Sequence, residues 1–247
     1  MKGEAIMFIQ STTIKNFNSH SKKISKYNSG RMVTQPAYYG TNVYYGSQHV
    51  LVRYVNAKPE EKEFNDNVDL IKYEDENRAK IIDHVFEDTN EKDTVHITIP
   101  VSKIKELQAV LSPALILHHT NADNKAAYEI NLDISEYGVM ATCYNDNGSA
   151  FRGYVPLQEK RKDTTDEKIQ SIVFNAKYLT DLLTMASKES NDAIELCIAP
   201  YDENRYVDGH CIVPMLIKVG QIEAVITPIR VYDKFNKYLD SVHNILK

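Results

Sequence analysis

The strongest constraint on this chain is that it repeats itself 75 residues apart. The tract Ile97-Thr-Ile-Pro-Val-Ser-Lys-Ile-Lys-Glu-Leu-Gln-Ala-Val-Leu-Ser112 aligns with Ile172-Val-Phe-Asn-Ala-Lys-Tyr-Leu-Thr-Asp-Leu-Leu-Thr-Met-Ala-Ser187. Each copy opens with apolar residues at every second position, the signature of a half-buried strand. Apolar residues then recur at i, i+3 and i+6 or i+7 (Ile104, Leu107 and Val110; Leu179, Leu182 and Met185), one face of a short helix. Strand-like segments follow each helix, at 114–118, 127–134 and 138–143 after the first and at 193–198, 211–219 and 222–231 after the second. Each unit therefore reads β-α-β-β-β, over 95–157 and 168–231. The fold class is α+β, and the two units form one domain over 95–231.

A fainter copy opens the chain at an offset of 90, with Met7 on Ile97, Ile9 on Ile99, Ile14 on Ile104 and Phe17 on Leu107. Its strands are expected at 31–39 and 42–55, with Gly40 and Gly46 at turns. The reading is a divergent N-terminal domain over 1–94, of which 59–94 is an acidic linker or surface excursion holding one short helix near 77–85. Charge follows the same division. Residues 1–58 hold eight Lys/Arg and one acid, whereas 59–94 hold five and thirteen. The overall net charge of -5 thus hides a basic and an acidic part. The last segment, 232–247, places Phe235, Leu239, Val242 and Ile245 or Leu246 on one face and reads as a helical extension.

Several classes are excluded. Three cysteines with no C-x-x-C pair make neither a disulfide scaffold nor a Cys-rich zinc module. No apolar run approaches the roughly 20 residues of a membrane span, so a soluble, cytoplasmic protein without membrane contact is expected. Phosphate-binding, nucleophile-elbow and H-E-x-x-H motifs are missing. His118 and His119 are neighbours and point to opposite faces of a strand; nothing in their spacing compels them to meet His96 or His210. No metal, cofactor or catalytic residue is expected. The tyrosine pairs at 38–39 and 44–45 read as cross-strand packing, ahead of base stacking.

Three tracts resemble a known family. Phe174-Asn175-x-x-Tyr178-Leu179-x-Asp181-x-Leu183 is similar to the helix start in the last half-domain of bacterial DNA sliding clamps, the β subunit of DNA polymerase III. Pro228-Ile229-Arg230-Val231 resembles the family's closing strand, and Pro100-Val-Ser-Lys-Ile-Lys-Glu-Leu107 its other helix start. The likeness covers 95–231 well and 1–58 loosely. Clamp chains are longer, with three domains; this one has room for two at most.

The resemblance implies a DNA-clamp fold, with antiparallel sheets outside and helices on one inner face. It also implies a homo-oligomeric ring, dimer or trimer, around duplex DNA. Such a processivity factor tethers DNA polymerase or other replication proteins through a short peptide motif and performs no chemistry. Lysines on inner helices would supply a weak, sequence-independent attraction to phosphates. The lysines so placed are Lys15, Lys22, Lys23, Lys26, Lys103, Lys105 and Lys177. The partner-peptide pocket would involve Pro228, Ile229, Arg230 and Val231. Two other readings stay open: a clamp-like interaction module that binds replication proteins without encircling DNA, and an enzyme with an unfamiliar site.

Overall fold

The two copies of the repeat fold alike, and each lends its first strand to the other. The computed structural model describes residues 11–24, 36–47, 49–57, 71–72, 76–88, 94–120, 126–158, 169–189, 192–199, 204–207 and 209–229. In chain order the early elements are α1 (Ser11–Ile24), β1 (Ala37–Tyr39), β2 (Asn42–Gly46), β3 (Val50–Tyr54), β4 (Ile71–Lys72) and α2 (Glu76–Asp88). The first repeat holds β5 (Val95–Pro100), α3 (Val101–Leu111), short β6 (His119–Thr120) and β7 (Ala126–Ala127), then β8 (Glu129–Ile134), β9 (Gly138–Tyr144) and β10 (Ala150–Pro156). The second holds β11 (Gln170–Asn175), α4 (Ala176–Glu189) and β12 (Ala193–Ile198), then short β13 (Tyr206–Val207) and β14 (His210–Cys211), then β15 (Met215–Val219) and β16 (Ile222–Ile226).

β5 pairs antiparallel with β12 of the second repeat, and β11 pairs antiparallel with β8 of the first. This gives a four-stranded sheet ordered β10-β9-β8-β11. The larger sheet runs β4-β1-β2-β3-β16-β15-β12-β5, so the N-terminal strands continue it through the β3–β16 pair. All pairs in both sheets are antiparallel except β1–β4.

Alternation along the strands sorts the two faces of the larger sheet. Ile97, Ile99, Ile194, Leu196, Ile217, Ala224, Val52 and Tyr45 point to one side and join Ile104, Leu107, Leu179, Leu182 and Met185 of α3 and α4 in one continuous core. Phe17 of α1 enters the same core, edge-on to Tyr45 and Tyr54 with centroids 4.8 and 4.7 Å away. The helices are packed closely onto the strands. A Cβ at Gly153 of β10 would lie 2.8 Å from Val110 Cγ1 of α3, so a larger residue there would have to displace the Val110 side chain.

The other face carries α2. Ile82 and Phe86 are buried in a second cluster with Ala37, Tyr44, Leu51, Cys197, Leu216 and Val225. Arg53 of β3 clamps the helix down. Its Nη1 donates to Asp83 Oδ1 at 2.7 Å, its Nε and Nη2 donate to Glu223 Oε2 of β16 at 3.0 and 2.5 Å, and its guanidinium lies 4.4 Å from the centre of the Phe86 ring. Tyr44 donates its hydroxyl to the same Asp83 oxygen at 2.8 Å.

The structure alters several sequence-based expectations. Segment 114–118 is not a strand: α3 runs on into a 3-10 turn, Ser112–Leu115, with Pro113 near its start and its carbonyl accepting from Leu117 N at 2.7 Å. Proline fits a helix start and cannot donate to a sheet, so an apolar run that reads as strand curls up instead. The third strand of this unit is β10. The last strand stops at Ile226 instead of running to 231, because Thr227 N turns to His49 O and Ile229 N to Val173 O of the other sheet. The helix expected near 77–85 spans Glu76–Asp88 and is docked on the sheet. The expected elements at 6–9 and 232–247 lie outside the described residues, as does most of 59–75.

Docking of α2 has a stability consequence. Phe86→Ala should cost about 3–5 kcal/mol in denaturant titration, whereas Ile81→Ala at a 64% exposed position should stay within about 0.5 kcal/mol. Equal stability of the two variants would mean that α2 does not hold to the sheet in solution.

Candidate nucleic-acid interface

Three helices lie side by side on the core side of the sheets, in the order α1, α4, α3. Asn175 starts α4 as an N-cap, its Oδ1 accepting from Lys177 N at 3.0 Å and Tyr178 N at 3.4 Å. Pro100 stands at the start of α3 with no side-chain cap, and Val101 N donates to Asp192 O at 2.9 Å. Polar contacts join the helices above the core. Gln108 Nε2 of α3 donates to Thr184 Oγ1 of α4 at 2.8 Å, and Asn16 Nδ2 of α1 donates to Glu189 Oε1 of α4 at 2.9 Å. Lys23 of α1 donates to Asp181 Oδ1 of α4.

These contacts explain the motif that opens α4. Phe174 is core, Asn175 is the cap, Leu179 and Leu183 are core, and Tyr178 stacks on His49 at 5.8 Å. Asp181 is 5% exposed and ties α4 to α1. Burial raises its pKa, and Lys23 works against that shift. The motif is a set of folding instructions.

Together the three helices carry seven lysines and three acids. Lys105 and Lys177 are exposed, as is Lys22. Lys103 is half-buried and donates to both oxygens of Glu106, at 3.0 and 2.9 Å. Lys23 is engaged with Asp181. Lys15 lies on α1, but its side chain is outside the described residues; Lys26 lies outside them altogether. Lys188 is not among the lysines that the sequence points to, yet it is exposed in the last turn of α4. It stands eleven residues after Lys177, about three turns, which places both on one helical face. That spacing is the signal in the sequence that could have found it.

Pro228 and Ile229 are half-buried where the chain crosses from the larger sheet to the smaller; Arg230 and Val231 lie outside the described residues. Tyr44 and Tyr45 are buried, with hydroxyls on Asp83 and Met185 Sδ, so they pack and do not present faces to bases.

Three helices, α1, α3 and α4, gathered on one side of largely antiparallel sheets match the DNA-clamp fold. Solved structures similar to the chain include a DNA polymerase sliding clamp from Pseudomonas aeruginosa, at 12% identity and TM-score 0.55 over 94% of this chain and 69% of that one. Another is the DNA polymerase III β subunit of the same organism, at 10% identity and TM-score 0.58 over 93% and 69%. A DNA polymerase III β subunit from Eubacterium rectale gives 14% and 0.58 over 93% and 68%. The chain spans only 31% and 42% of two further clamp chains, from Caulobacter crescentus and P. aeruginosa. No family model matches the sequence, and no curated protein does. At this identity the likeness establishes the fold. Among the described residues no helix is long and apolar enough to cross a membrane.

The seam between α1 and α4 contains a pH-sensitive group. His20 is 4% exposed, and neither ring nitrogen has a hydrogen-bond partner among the described residues. Burial, then Lys188 and Lys23, lower its pKa from 6.5 to about 4. Above about pH 6.5 the ring is neutral folded or unfolded. Below it, the unfolded chain takes a proton that the folded chain refuses. Stability should fall by up to about 3 kcal/mol between pH 6.5 and 4, and His20→Leu should flatten that slope. Both proteins keep Asp181, so the difference in their pH–stability curves isolates His20; parallel curves would refute the assignment.

Proposed function

We propose that the chain is a sliding-clamp-like processivity factor. It contacts or encircles duplex DNA, tethers replication proteins and has no chemistry of its own. The observation that carries this reading is the packing of α1, α4 and α3 side by side, with Lys22, Lys105, Lys177 and Lys188 exposed on them. A modest excess of lysine suits sliding. Each Lys–phosphate contact is weak and exchangeable, and Glu106 and Asp181 dilute the attraction that would otherwise arrest movement. Lys22, Lys105, Lys177 and Lys188 are the residues placed to contribute most.

A ring needs subunits that join. β10 ends the smaller sheet, with no strand on its outer side among the described residues, and Ala150, Tyr154 and Pro156 are exposed on it. Arg152 Nε on this strand is buried, with no hydrogen-bond partner among the described residues. We assign this edge to subunit contact, since an unpaired edge invites another strand. The segment 228–231 is assigned to short partner peptides, by the resemblance of Pro228-Ile229-Arg230-Val231 to the family's closing strand.

A second reading, a clamp-like module that binds replication proteins without encircling DNA, draws on one observation: two of the helix lysines are already engaged by acids, Lys23 with Asp181 and Lys103 with Glu106. Three measurements separate the readings. Light scattering should give an oligomer, and the protein should stay on closed circular DNA while sliding off linear DNA. Duplex affinity should fall as salt rises. A variant with Lys22, Lys105 and Lys177 all changed to Glu should bind less tightly, its log–log salt slope reduced by about 0.9 for each phosphate that is no longer neutralised. A monomer with no salt-dependent duplex binding would eliminate the clamp reading and leave the module.

A further inference from the structure

The outer face of the larger sheet holds a cluster that the clamp reading does not use. β5 is the edge strand, and its His96 stands directly across from Cys197 on β12. Glu195, two residues before Cys197, projects from the same face. His96 Nδ1 is 2.7 Å from Glu195 Oε1 and 3.6 Å from Cys197 Sγ, and the three ligand atoms all lie within 4.8 Å of one another. On the far side of the ring, His96 Nε2 is 2.9 Å from Thr94 Oγ1.

We propose that His96 Nδ1, Glu195 Oε1 and Cys197 Sγ form a binding site for a zinc-class divalent ion, with a fourth position open to solvent. Three unlike electron-pair donors converge on one point. Imidazole, carboxylate and thiolate together are the donor types that zinc accepts, and three protein ligands with one open position is a recurrent zinc arrangement. When the ion replaces the Nδ1–Glu195 hydrogen bond, the ring takes its other tautomer, with Nε2–H donated to the Thr94 hydroxyl and the Nδ1 lone pair free for the ion. A His–Glu ion pair alone would account for two of the groups; the sulfur 3.6 Å from His96 Nδ1 adds a soft third donor.

Access fits the proposal. The His96 and Glu195 side chains are 44% and 39% exposed, whereas Cys197 is fully buried beneath them. A cavity of about 350 Å³, lined also by Thr98, Glu136 and Gln158, opens beside His96. Binding forms the metal–sulfur bond, with the thiol proton released to solvent. The bound ion would pin edge strand β5 to β12 immediately before α3.

The test uses the full chain, stripped with chelator and then titrated with Co2+, followed by Zn2+ competition. The expected result is one ion per chain, a near-ultraviolet thiolate-to-cobalt band, and a Tm raised by the metal. Cys197→Ser should abolish the band, while Cys143→Ser and Cys211→Ser keep it. Because burial makes Cys197 a packing residue as well, His96→Gln and Glu195→Gln at exposed positions provide the decisive comparison. Each should fold by circular dichroism and lose at least about tenfold in cobalt affinity. Failure of the wild type to show the band, its survival in Cys197→Ser, or wild-type affinity in His96→Gln would each overturn the site. None of these outcomes bears on DNA binding.

Discussion

The exchange of first strands between the repeats is the constraint on which the other features depend. β5 belongs in sequence to the helix α3 that follows it, yet its hydrogen bonds go to β12. β11 leads into α4 and bonds to β8. Neither repeat can therefore complete its sheet alone, and α3 and α4 are held side by side because each is anchored by a strand in the other unit's sheet. The Gln108–Thr184 contact and the shared core of Ile104, Leu107, Leu179 and Leu182 follow from that crossing. Such pairings are far apart in sequence, which makes this part of the fold a slow, cooperative step in folding.

The N-terminal part is attached by different means. β3 adds to β16 along a hydrogen-bonded edge, Phe17 enters the common core, and α1 leans on α4 through Lys23–Asp181 and Asn16–Glu189. The acidic α2 lies on the opposite side of the sheet. The segregation of charge along the chain thus becomes segregation across the sheet, with lysine-bearing helices on one side and Asp83 and Glu87 of α2 on the other.

Local periodicity made much of this legible. The apolar spacing in 97–112 and 172–187 located α3 and α4 and separated buried from exposed lysine positions, because burial alternates with a fixed period in each element. Segment 114–118 misled because Pro113 overrides an apolar run. The docking of α2 was not legible, since a helix with Glu76, Asp83, Glu87 and Asp88 reads as solvated until Arg53 appears beneath it. The cluster at His96 was hidden for a deeper reason. Glu195-x-Cys197 marks one face of a strand, but only the exchanged pairing brings a residue 101 positions earlier onto the sulfur. A single sequence displays periods and not partners.

One cross-strand row on the outer face has a further meaning. Thr98, Glu195, Lys218, Glu223 and Arg53 stand opposite one another in succession across β5, β12, β15, β16 and β3, with charges alternating in sign from Glu195 onward. The neighbouring row, Cys197, Leu216, Val225 and Leu51, is apolar. A strand that slipped by one residue would turn its core residues outward. A slip by two would keep the faces right but set a charge against Leu216 or Val225. The two rows act together as a proofreading code: the core admits only the correct parity, and the charge ladder then admits only one register within it.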